Sequence, residues 1–166
     1  MMKIKFDLFV NNYNGGPKIR VYNNDQVLLQ KVLTEYGHQT LELEADLKCP
    51  TKLTIEHYDK NMKRDTKLED GKIVADKGFM LEKMYLDDFV LENELYHFNF
   101  IKEDGGEIAN NNYIGYNGKY VINIDSEDLF TWYFKLQKIF INNHETFDYE
   151  QFKEEIFKGE PCEVEY

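Results

Sequence analysis

Residues 3–10, KIKFDLFV, alternate polar and apolar side chains so regularly that Ile4, Phe6, Leu8 and Val10 fall on one face of an extended strand. A strand with one apolar face must cover it with a second layer, which constrains the fold more than any other feature of the chain. The same pattern recurs. It appears in KIRVY, in QVLLQKVL, in TLELEADL with Leu41, Leu43, Ala45 and Leu47 aligned, in KLTIEHY with Leu53, Ile55 and His57 aligned, in KIVAD and in FMLEKMYLDDFVLE. Breakers separate these runs: NNYNGGP, the Asn23–Asp25 turn, and Lys48-Cys49-Pro50-Thr51. Strands at intervals of roughly 8–12 residues indicate an antiparallel sandwich or barrel. The expected fold is mainly β, an antiparallel jelly-roll-like β-sandwich over residues 1–101, followed by a C-terminal hairpin and two-helix appendage over residues 102–166.

The appendage is read from a change of period. KEDGGEIANNN, residues 102–112, has loop composition. In YIGYNGKYVINI, Asn117-Gly118 supplies the positive φ angles of a two-residue hairpin turn. From Glu127 the spacing becomes helical, with Leu129, Trp132, Tyr133, Leu136 and Phe140 on one stripe and Asp125 or Ser126 as the cap. A second helix is expected in DYEQFKEEIF, capped by Asp148, with Phe152 and Ile156 inward and Gly159 and Pro161 ending it. The tail PCEVEY is either a frayed end or an added edge strand. The aromatic residues Phe130, Trp132, Tyr133, Phe134 and Phe140 cover more than one helix face. They fit either a larger core within the chain or a partner interface.

Charge narrows the partners. The chain of 166 residues carries a net charge of −11. Residues 1–100 contribute −3 and residues 101–166 contribute −8. Nucleic-acid binding draws on many cationic contacts to phosphate, so no nucleic-acid partner is expected. A mean hydropathy of −0.62, with no apolar run approaching the roughly 20 residues of a span, predicts no membrane insertion. The alternating start lacks the apolar stretch of a signal peptide, so an unexported product is expected. The two cysteines, Cys49 and Cys162, form no disulfide framework, and whether they pair is left open.

Residues 57–73, HYDKNMKRDTKLEDGKI, concentrate oxygen ligands: Asp59, Asn61, Asp65, Glu69 and Asp70. An EF-hand is excluded. Counting from Asp59, Lys63 falls at the fifth position and Arg64 at the sixth, where a ligand and an obligatory glycine belong. A looser calcium site remains, in which Asp59 and Asp65 at one strand end would meet Asp87 and Asp88 from another. The alternative is a solvated loop neutralised by Lys60, Lys63 and Arg64, with Glu69-Asp70-Gly71 as a separate turn into KIVAD.

Catalytic sets are missing. The single serine, Ser126, sits at a helix cap; a cysteine nucleophile needs a histidine partner and an activated thiol, whereas Cys49 lies in Lys-Cys-Pro between strands and Cys162 in a tail. His38, His57, His97 and His144 are scattered without metal-ligand spacing. His57 and His97 read as satisfied sheet residues. Gly15-Gly16 and Gly105-Gly106 are turns, because no helix and no Lys-Ser/Thr follows them. The chain is expected not to be an enzyme.

Two resemblances add to this reading. PKIRVY, LTIEHYD with Tyr58-Asp59, Asp65, and MYLDDFVL with Asp87 or Asp88 resemble, over residues 4–92, calcium-dependent carbohydrate-binding modules of the xylan-binding jelly-roll type. The resemblance implies a sandwich, calcium held by Asp59, Asp65, Asp87 and Asp88, and a carbohydrate partner. Two features depart from the pattern: Tyr58 stands where the family has an amide, and TKLEDGKIVADKGF is inserted before the last strand. The runs IRVYNND, LTIEHYDK, DTKLEDGKIV and DK also resemble small proteins of tailed, T4-like marine phages. That likeness implies a phage structural or virion-associated binding protein, made in the host cytoplasm and then part of the virion, whose partners are other phage structural proteins or itself. The leading expectation is this non-enzymatic protein-contact role, acting through Phe130, Trp132, Tyr133, Phe134 and Phe140. A calcium-dependent carbohydrate-binding module is the alternative. A host-directed inhibitor with an acidic surface is a third. No cofactor is required, and calcium is the one metal the pattern admits.

Overall fold

The computed structural model describes residues 1–141. In chain order the elements are β1 (Met2–Asn12), β2 (Lys18–Asn23), β3 (Gln26–Val32), β4 (Gly37–Ala45), β5 (Thr51–Tyr58), the one-turn helix α1 (Met62–Asp65), β6 (Thr66–Glu69), β7 (Lys72–Leu86), β8 (Phe89–Leu91), a 3-10 turn (Asn93–His97), β9 (Phe100–Lys102), β10 (Glu107–Ile108), β11 (Tyr113–Ile114), β12 (Gly118–Ile124) and α2 (Leu129–Ile141). They build two six-stranded antiparallel sheets, as the alternation requires. The first runs β11-β7-β1-β4, with β6 and β8 also paired to β7. The second runs β10-β9-β12-β5-β2-β3.

The core lies between the sheets. Ile4, Phe6, Leu8 and Val10 of β1 face Ile19, Val21, Leu53, Ile55, Tyr120 and Ile122 of the second sheet's strands within one buried cluster. β1 is paired on both edges, to β4 from Met2↔Ala45 to Val10↔Gly37 and to β7 from Ile4↔Leu86 to Asn12↔Lys77. Its buried face therefore cannot slip by one residue without turning every apolar side chain outward. Tyr120 is fully buried, and its hydroxyl is satisfied by donating to the Leu95 carbonyl.

Several boundaries differ from the sequence expectation. Asn117-Gly118 does not close a hairpin: β11 pairs with β7 in the first sheet, and β12 pairs with β5 and β9 in the second. Residues 115–117 carry the chain from one sheet to the other. Sheet pairing thus crosses residue 101, and β12 lies inside the sandwich rather than in an appendage. The 102–112 segment, expected to be loop, contributes the turn and the second strand of the hairpin β9–β10. The expected separate strands KIVAD and FMLEKMYL form one strand, β7, of 15 residues. The Asp70-Gly71 pair forms the expected turn, with both residues at positive φ between β6 and β7. α2 is capped by Asp128, whose carboxylate accepts from Thr131 N at 2.8 Å, rather than by Asp125 or Ser126. His97 lies in the 3-10 turn, not in a strand. The expected second helix with Asp148, Phe152 and Ile156, and the tail with Cys162, lie outside the described residues. Among the described residues no helix is long and apolar enough to cross a membrane.

Gly118 opens β12 where a Cβ would sit 2.3 Å from the Ile101 carbonyl oxygen. A methyl group there forces the β9–β12 pairing apart. Gly118→Ala is expected to lower unfolding free energy by about 2 kcal/mol, measured by urea denaturation.

Candidate functional site

The four aspartates expected to form a metal site are not brought together. Asp87 and Asp88 form the turn between β7 and β8, and Asp87 accepts from Lys3 N at 2.7 Å, at the start of β1. Asp65 accepts from Asn14 Nδ2 at 3.1 Å, just past the end of β1. At about 3.3 Å per residue, a strand the length of β1 separates the two pairs by roughly 30 Å. Among the described residues no group of three or more His, Cys, Asp or Glu side chains is placed to hold a metal ion.

Asp59 and Asp65 also part locally. Asp59 is exposed and paired with Lys18, which holds its carboxyl below the usual range. Asp65 is fully buried by α1. Asn61 caps that helix, its side chain accepting from Lys63 N and Arg64 N, and Asp65 turns back to accept from Asn61 N at 2.9 Å. The remaining valences of Asp65 are taken by Arg64 Nε at 2.8 Å, another Arg64 nitrogen at 2.9 Å, Lys77 Nζ at 3.1 Å and Asn14. Arg64 above all, together with these donors, drives its pKa far below that of an ordinary carboxylate.

Beside it lies a second buried pair that sequence reasoning missed. Lys60 Nζ is fully buried and donates to Asp76 Oδ1 at 2.6 Å and to the Gly115 carbonyl. Asp76 also accepts from Thr66 Oγ1 and from the Tyr113 hydroxyl, each at 2.6 Å. Burial, then Asp76, raises the Tyr113 pKa. Asn117 holds the Lys60 backbone from both sides, accepting from Lys60 N at 2.8 Å and donating to Lys60 O at 2.9 Å. As they stand, these residues do not fit calcium, which takes six to eight free oxygen ligands. The carboxylate oxygens are already saturated by donors, and Lys60, Lys77 and Arg64 supply the positive charge.

His57 sits on the core side of the same rim. It is fully buried, edge-on to Phe79 with ring centroids 5.8 Å apart, and neither ring nitrogen has a well-formed hydrogen bond. It is therefore not the satisfied sheet residue expected. Burial, reinforced by the Lys60 charge, lowers its pKa to about 4, against a slight opposing effect of the nearby Tyr116 backbone.

The outer face of the second sheet is different in kind. Register aligns Ile101, Lys119, Glu56, Arg20 and Gln30 in one row across β9, β12, β5, β2 and β3. Tyr22 flanks the row on one side and Tyr58 on the other. Arg20 stacks 3.8 Å from the Tyr58 ring centroid and bonds Gln30 at 3.1 Å and Glu56 at 3.3 Å, and the Tyr22 hydroxyl donates to Glu56 at 2.5 Å. An open groove of about 610 Å³ lies over the β5, β12 and β9 part of this face, lined by Lys52, Glu56, Tyr58, Lys102, Asn117 and Lys119, with Arg20, Tyr22 and Gln30 beside it on β2 and β3. It shares Lys102 and Asn117 with a hollow of about 460 Å³ that adds Met62 and Tyr116. A third hollow, about 500 Å³, lies over the outer face of the first sheet along a ladder of opposite charges, Lys3↔Glu44 and Lys5↔Glu42. The parity of KIRVY and KLTIEHY exposes Arg20, Tyr22, Glu56 and Tyr58, but only cross-strand register assembles them.

On α2 the expected interface residues divide. Trp132 is buried within the chain; its Nε1 donates to Asn123 O at 2.8 Å and it stacks on Phe98. Phe130 is 38% exposed and, with Phe89, Tyr133 and Phe134, forms an aromatic cluster whose ring centroids lie 4.4–6.4 Å apart. Phe140 lies in α2, and its side chain falls outside the described residues.

No known sequence family matches the chain, and no curated protein is similar to it in sequence. The fold is similar to two solved structures. One, described as vCBM60 in complex with galactobiose, has a TM-score of 0.50 and 12% identity, with 73% of this chain and 97% of that one covered. The other is a selenomethionine form of vCBM60, described with a circular permutation linking two families of calcium-dependent carbohydrate-binding modules. Its TM-score is 0.54 and its identity 13%, over 78% of this chain and 97% of that one. At these identities the likeness shows the fold alone, a mainly β, two-sheet antiparallel sandwich.

His57 sets the acid response. The unfolded imidazole takes its ordinary value of 6.5 and the folded one about 4, so between those pH values the unfolded chain binds the extra proton. Stability is expected to fall as pH drops from about 6.5 to about 4, by roughly 3 kcal/mol in total, measured by urea denaturation across that range. His57→Leu is expected to flatten the slope. Asp65, whose folded pKa is depressed, adds its own loss only at lower pH, below the ordinary aspartate range.

Proposed function

We propose that the chain is a non-catalytic carbohydrate-binding module, and that its binding surface is the groove on the outer face of the second sheet. The observation that carries this reading is that Lys119, Glu56 and Tyr58 line the groove together, with Glu56 and Tyr58 braced from beside it by Arg20 and Tyr22. A sugar ring offers an apolar C–H face and a rim of hydroxyls, each both donor and acceptor. Aromatic faces beside fixed donors and acceptors match both parts. The groove has the dimensions of a ligand site. Its carboxylates serve as fixed acceptors: Glu56 is held by Tyr22 and Arg20, and Asp59 by Lys18. The vCBM60 fold, seen elsewhere with galactobiose, supports this reading over a purely structural role.

A second reading rests on the half-exposed Phe130 cluster and the phage-like runs: a virion-associated protein contacting other phage proteins or itself through α2. The two readings are compatible, since a glycan-binding module can be carried on a virion. Absence of the chain from purified virions of its source would remove the second.

Affinity electrophoresis against soluble galactan and xylan tests the first reading. Retardation by at least one polysaccharide, without release of reducing sugar, is the expected result. Tyr58→Ala and Lys119→Ala are each expected to weaken binding about tenfold, a loss of about 1.4 kcal/mol. No retardation by any glycan tested would overturn it.

A further inference from the structure

Three segments converge on the rim beneath the groove: the α1 loop, the middle of β7, and the crossing from β11 to β12. Each brings polar groups that need a positive charge. Asp76 comes from β7, the Gly115 carbonyl from the crossing, and Asp65 from α1. One side chain reaches the first two. Lys60 Nζ donates to Asp76 Oδ1 at 2.6 Å and to the Gly115 carbonyl, with its side chain wholly withdrawn from solvent. Lys77, also from β7, reaches Asp65 Oδ1 at 3.1 Å with only a tenth of its side chain exposed. Three cations, Lys60, Lys77 and Arg64, thus face two carboxylates at the rim. An additional divalent ion would enter a region already positive, among carboxylate oxygens that already accept hydrogen bonds.

We infer that the Lys60 ammonium, backed by Lys77, is a built-in cation that ties these three segments together, so that this chain assembles its rim without calcium, unlike the calcium-dependent modules whose fold it shares. An ammonium is a compact point charge with three donors, suited to bridging oxygens from separate segments. Burial lowers the Lys60 pKa while the Asp76 carboxylate opposes that effect, as expected for a buried ammonium held by its partner. Asn117 fixes the Lys60 backbone on both sides, so the side chain enters from one defined direction. A buried ion pair leaves an uncompensated charge when one member is removed, and removing both members costs less. The inference concerns the architecture of the rim and stands whether or not the groove binds glycan.

The test compares the full chain in EDTA and in millimolar calcium by thermal unfolding and by amide NMR. The melting temperature is expected to be the same in both, with no shift of the Asn61, Asp65, Asp76 and Gly115 resonances. A calcium-induced rise in melting temperature, or saturable shifts at those amides, overturns the inference. Lys60→Met is expected to lower the melting temperature by several degrees in either solution. The double variant Lys60→Met/Asp76→Asn is expected to lose less than the two single variants combined, which marks charge pairing; additive losses count against it. If Lys60→Met does not fold, the calcium comparison on the unaltered chain still decides. Glycan retardation is measured separately in both solutions. A calcium effect on the rim amides without loss of glycan binding would therefore overturn this inference alone.

Discussion

The structure depends on the burial of one face of β1 against the second sheet. Ile4, Phe6, Leu8 and Val10 are each at most 1% exposed, and their strand is hydrogen-bonded along both edges. Full burial of such side chains contributes about 1.5–3 kcal/mol apiece before entropy is counted. Register is fixed by the same burial, since a slip of one residue would turn all four outward. With β1 in place, β7 extends past it, so that Lys77, the last β7 residue paired with β1, and Asp76, next to it and paired with β6, reach the rim. The second sheet is then held at the packing distance of a sandwich, with its outer face free.

That arrangement separates two kinds of polar chemistry. At the rim, Lys60 and Asp65 are buried and must be compensated by their neighbours: Lys60 by Asp76, and Asp65 by the largely buried Lys77 and the solvent-facing Arg64. Such pairs contribute little net stability, because desolvation offsets most of the attraction, but they penalise alternative loop conformations that leave a charge unpaired. On the outer face of the second sheet the charged and aromatic groups remain in contact with water. Glu56, Arg20, Tyr22 and Tyr58 brace one another across β5 and β2, so a ligand would meet groups already fixed in place, which reduces the ordering cost of binding. Buried compensation suits a structural element, and a braced but accessible row suits recognition.

His57 lies between these two regions. It is on the inward side of β5, one residue from Tyr58 on the groove face and three from Lys60 at the rim. Its unsatisfied ring makes this part of the sheet the acid-sensitive point of the fold. Strand alternation explains how one short run, HYDK, serves core, groove and rim together: successive side chains point to opposite faces until the strand ends.

The alternation of β1 to β5, the turn at Asp70-Gly71 and the helical period of α2 were legible in the sequence because each rests on local spacing and backbone preference. So was the exclusion of an EF-hand at Lys63 and Arg64. The hairpin expected at Asn117-Gly118 does not form, because a favourable turn dipeptide does not reveal that its flanking strands join different sheets. The proposed meeting of Asp59 and Asp65 with Asp87 and Asp88 failed for the same reason: proximity across a sheet depends on which ends of β1 the turns occupy. Nor does composition distinguish a buried lysine from a solvated one, so Lys60 was read as loop charge. Local periodicity is enough to specify a two-layer β fold for this chain. Which charges meet out of solvent and which side chains line the groove follow from the register between strands distant in the chain, which no local pattern encodes.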